Sequence, residues 1–121
     1  MAKSLEELNM CVTEAIFRAE HEPEDSPGAE AAYRKLSELE EEIARLVPAN
    51  ELQGGLARVG AVTAALQAGD WLRAVWLAQS FAVGAPTDIA EQLGALAHDA
   101  EVALCGIAEP DVRPIPFDFA A

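Results

Sequence analysis

The sequence predicts an all-α fold: a compact antiparallel bundle of about five helices over residues 1–110, followed by an extended tail over 111–121. Three observations predict it. Apolar residues recur at three- and four-residue spacing through successive stretches of the chain. Alanine, the strongest helix former, supplies 25 of the 121 residues. Strand-like alternation is confined to Ile115, Phe117 and Phe119 in the tail.

Each helix has its own start and stop signals. Ser4-Leu5-Glu6-Glu7 fits a capping box. Leu5, Leu8, Val12, Ala15 and Ala19 then form one stripe, flanked by Cys11 and Ile16, which predicts a helix from about Leu5 to Glu20. Ser26-Pro27 is a cap followed by proline at the first helical position. Ala32, Leu36, Leu39, Ile43 and Leu46 give the second helix its buried stripe, and Pro48 closes it. Arg34 with Glu38 and Glu41 with Arg45 are i,i+4 pairs along that helix. Asn50-Glu51-Leu52-Gln53 repeats the capping-box pattern and opens a third helix with Leu52, Leu56, Val59, Thr63 and Leu66 on one side. Its other faces are small, with Gly54, Gly55, Gly60, Ala61, Ala64 and Ala65, which permits close helix approach.

Gly69-Asp70 supplies a left-handed helix end and the next N-cap. The fourth helix, Trp71 to about Phe81, has Arg73 as its one charge and is apolar nearly all round, which marks a central element or an interface. Gly84-Ala85-Pro86-Thr87 breaks it, with Thr87 as the expected cap of a fifth helix carrying Ile89, Leu93, Leu96, Ala100, Ala103 and Ile107. The run Gly69-Asp70-Trp71-Leu72-Arg73-Ala74, with Pro86 twelve residues after Ala74, resembles part of a tetratricopeptide repeat. The resemblance covers about 18 residues and implies helical-hairpin packing. Ala78 and Phe81 depart from that pattern, and there is no second copy.

Charge narrows the function classes. Asp and Glu number 21 against 8 Lys and Arg, a net charge of −13. Direct binding of nucleic acid or an anionic membrane needs the opposite sign. The excess is spread along the chain, −7 over residues 1–46 and −6 over 47–121. The longest uncharged run, Ala74 to Thr87, is too short to cross a bilayer. The opening Met1 to Glu7 lacks the apolar segment of a signal peptide, so a cytoplasmic chain with reduced cysteines is expected.

Candidate chemistry is sparse. Glu20-His21-Glu22-Pro23-Glu24-Asp25 has oxygen ligands for a hard cation, but proline interrupts it and no calcium-loop glycine is present, so a solvated acidic linker is expected. His98 and Asp99 are adjacent on a helix and point about 100° apart, which leaves a boundary or surface histidine. Cys11 and Cys105 have no cationic neighbour in sequence and are expected to be buried thiols. No cofactor or metal is called for. Trp71 and Trp76 are expected in the core, with interface anchors as the alternative.

The resulting expectation is a non-enzymatic module that binds another protein, with a basic surface on the partner and a homodimer both compatible with it. The candidate partner-binding residues are Trp71, Trp76, Phe117, Phe119, Glu38, Glu41 and Glu42. Two alternatives are an acidic mimic of nucleic acid that inhibits a DNA- or RNA-binding protein, as some phage-encoded inhibitors do, and an enzyme using His98 or the His21 cluster.

Overall fold

Five helices make up the computed structural model, which describes residues 2–108: α1 (Leu5–His21), α2 (Pro27–Leu46), α3 (Leu52–Gln67), α4 (Trp71–Ala82) and α5 (Thr87–Ala108). The tail with Ile115, Phe117 and Phe119 lies outside the described residues, as does the Ile107 side chain.

Local chemistry explains most boundaries. The Glu7 N–H donates to Ser4 Oγ at 3.1 Å and the Ser4 N–H donates to Glu7 Oε1 at 2.9 Å, so the capping box is complete. The Ser4 backbone N–H, then its hydroxyl, hold the Glu7 carboxyl below its ordinary value. Ser26 accepts from the Ala29 N–H, with Pro27 opening α2. Gly69 has φ of +75°, where a side chain would be strained. The Asp70 N–H donates to the Ala65 carbonyl and the Gly69 N–H to the Leu66 carbonyl, which together stop α3. Asp70 then caps α4 by accepting from the Arg73 N–H.

Two expected caps are different. Glu51, not Asn50, is the N-cap of α3, and its side chain makes no capping bond. Gln53 instead donates from Nε2 to Asn9 Oδ1 at 3.0 Å, tying the start of α3 to α1. Thr87 lies within α5, whose first turn closes on the Pro86 carbonyl through the Ala90 N–H.

The helices pack in chain order, α1 on α2, α2 on α3, α3 on α4 and α4 on α5, with a further contact between α3 and α5. α3 is therefore central, with three helical neighbours. Two core clusters meet on it. One joins Leu8 and Ala15 of α1, Leu36, Leu39, Ile43 and Ala44 of α2, Val47 just beyond it, and Ala57 and Ala64 of α3. The other joins Ala61, Val62 and Ala65 of α3, Ala74, Leu77 and Ala78 of α4, and Leu93 and Ala100 of α5. Phe81 packs against both.

α3 buries the face that its leucine pattern does not mark. Leu52 is 81% exposed and Leu56 is 61% exposed, whereas Gly54, Gly55, Ala57, Ala61, Ala64 and Ala65 are buried together with Val62. Close approach of neighbouring segments is the cause. A Cβ on Gly54 would collide with the Pro48 carbonyl oxygen, and one on Gly55 would lie 2.9 Å from Ile89 Cδ1. Large side chains on that face would force the neighbours apart. Leu46, at the last turn of α2, is likewise exposed rather than on the buried stripe.

Candidate functional site

Among the described residues, the sequence-predicted partner-binding residues fall on separate parts of the bundle. On α2, Glu38 and Glu42 are exposed one turn apart, and Glu38 does not pair with Arg34. Glu41 is different: its Oε2 accepts from Arg45 at 2.6 Å and its Oε1 from Arg73 at 2.7 Å. Arg73 also donates from Nε to Ser37 Oγ at 3.0 Å, and Ser37, fully buried, donates to the Ala61 carbonyl at 2.7 Å. Glu41 thus belongs to a network that fastens α4 to α2 and orders Ser37 against α3. This role follows from contacts 24 to 36 residues apart, which helical periodicity does not reveal.

Arg58 is a second structural cation. It donates to the carbonyls of Ala44, Val47 and Gly54, each at 2.9 Å, and its guanidinium lies 5.5 Å from the centroid of the Phe81 ring. It satisfies the Ala44 and Val47 carbonyls at the end of α2, and burial lowers its pKa. Glu40, one residue before the Arg-paired Glu41, is half-buried against Gly60, where a Cβ would meet its Oε2 at 2.6 Å. Desolvation pushes its pKa up to about 7.

The tryptophans part company. Trp76 is 58% exposed, contrary to the core expectation, because α4 turns Ala74, Leu77 and Ala78 inward. Leu72, one turn earlier, is 72% exposed, and Val83, the extended residue that ends α4, is exposed as well. Trp71 is half-buried at the start of α4 and lines a cleft of about 550 Å³ with Tyr33, Leu66 and several carboxylates.

Other candidates fall on plain surface. His98 is exposed, and so is Cys105, which was expected to be buried, while Cys11 is half-buried. His21 stacks on Phe17 with centroids 4.0 Å apart, its Nδ1 2.8 Å from the Phe17 carbonyl oxygen. Among the described residues no three His, Cys, Asp or Glu side chains are grouped to hold a metal ion. No helix among them is long and apolar enough to cross a membrane. Phe117 and Phe119 lie outside the described residues. No protein-family model, curated protein or solved structure matches the chain.

Proposed function

We propose that this chain is a non-enzymatic, cytoplasmic protein-interaction module that presents the outward side of α4 to another protein. The observation that carries the reading is the exposed pair Leu72 and Trp76, one turn apart on a helix whose opposite side is fully buried. Tryptophan contributes heavily to binding when desolvated at an interface, and an outward apolar stripe supplies that area. Leu52 and Leu56 on α3 add a second outward apolar pair.

The test is affinity capture from the native source with the parent chain and with a Leu72→Ser/Trp76→Ser variant. The reading expects a stoichiometric partner that the variant loses at unchanged melting temperature. Equal capture by both chains contradicts it. Sedimentation distinguishes a second copy of this chain from a different partner.

A second reading, an acidic mimic of nucleic acid, draws on Glu38 and Glu42, exposed and outside any ion pair among the described residues, and on the net charge of −13. It expects a complex that dissociates steeply with salt, whereas docking through Leu72 and Trp76 is largely salt-insensitive.

A further inference from the structure

The end of the bundle where α1 leads into α2 and α3 into α4 is concave. Its cleft, about 550 Å³, falls within the size range of ligand sites. The apolar part is Tyr33, Leu66 and Trp71, all half-buried, so each keeps some surface open to solvent. The polar part is Glu20, Glu22, Glu24, Asp25 and Glu30, and no lysine or arginine is among the lining residues. None of these five carboxylates forms a salt bridge among the described residues, in contrast to Glu41 with its two arginines. Glu22 lies beside the first turn of α2, its carboxylate so close to Gly28 that a Cβ there would collide with it.

Aromatic faces beside uncompensated carboxylates select one kind of occupant. A purely apolar group would strip water from the carboxylates without replacing its hydrogen bonds. An anion would be repelled. An arginine or lysine side chain satisfies both parts, with its stem on Leu66, its charged head against an aromatic face, and its N–H groups donating to the carboxylates. We propose that this cleft docks a basic segment of a protein partner, an arginine or lysine side chain lying against Tyr33 and Trp71 with its basic neighbours on the acidic rim. The proposal rests on the reading of the chain as an interaction module and names the chemistry of its partner.

Titration of the full chain with a short arginine-rich glycine–serine peptide, and with the same peptide carrying citrulline for arginine, tests it by calorimetry and backbone amide shifts. The expected result is binding of the arginine peptide alone, with shifts concentrated in residues 20–33 and 66–71. Glu22→Gln/Glu30→Gln, a surface change that leaves the core untouched, should weaken binding about tenfold, and so should Trp71→Leu. Glu91→Gln/Glu101→Gln on α5 should leave it unchanged. Equal binding of the citrulline peptide, shifts spread over every acidic face, or no binding at millimolar peptide would overturn the proposal. Spermidine binding as tightly as the peptide at the same residues would overturn it too, in favour of a small polyamine. If the cleft fails while the Leu72→Ser/Trp76→Ser variant still loses its partner, the module reading survives alone. If the peptide binds and that variant keeps its partner, the α4 surface is the part that fails.

Discussion

α2 and α3 lie side by side and differ in the large side chains they bury. α2 turns Leu36, Leu39 and Ile43 inward and leaves Glu38 and Glu42 in water. α3 turns mainly glycine and alanine inward, with Val62 as its one larger fully buried side chain, and leaves Leu52 and Leu56 in water. The difference follows from the number of neighbours. α2 packs against α1 and α3, and the spaces between them take branched side chains. α3 packs against α2, α4 and α5, and small side chains let three helices approach one backbone. On this central helix Leu52 and Leu56 are left on the face that no neighbour covers.

This contrast predicts that α2 is damaged by truncation and α3 by enlargement. Leu39→Ala should cost about 3 kcal/mol in urea unfolding, through lost burial and the cavity left behind. Ala61→Leu should cost about 2 kcal/mol, since Ala61 is fully buried and its carbonyl accepts from Ser37. Arg58→Met should cost about 1.5 kcal/mol, because it frees the carbonyls of Ala44 and Val47 that α3 covers. A melting temperature for Arg58→Met equal to the parent's would show that water replaces the guanidinium there.

The smallest effect concerns the seam between the two helices. Folding raises the Glu40 pKa from 4.5 to about 7, so between those values the folded chain holds a proton that the unfolded chain releases. Stability should therefore fall as pH rises through that window. Glu40→Gln should match the parent at pH 4 and exceed it at pH 8 by about 1 kcal/mol, a figure reduced for the carboxylate's partial exposure. Equal stability of the two chains at pH 8 would mean that solvent reaches the Glu40 carboxylate.

The same contrast explains what was legible in the sequence. The stripes of α1, α2 and α5 and the stops at Gly69 and Pro48 rest on local chemistry, and the structure has them, apart from Leu46 and the undescribed Ile107 side chain. The buried face of α3 was not legible, because periodicity marks where large apolar residues recur and not how many neighbours a helix has. Trp76 lies outward for a related reason: Ala74, Leu77 and Ala78 are the inward residues of α4. Of the candidate binding residues, Trp71 and Trp76 were visible by type alone. The cleft beside Trp71 needs four chain segments brought together, and the roles of Arg58 and Arg73 need partners far away in sequence. Only tertiary packing supplies either.

The measurement that tests this account most directly is urea unfolding of the Leu52→Ser/Leu56→Ser variant. Because both leucines lie in water, its stability should stay within about 0.5 kcal/mol of the parent, with the same cooperativity. A loss of about 4 kcal/mol or more, the cost of emptying two core leucine sites, would contradict it and return the leucine stripe of α3 to the interior.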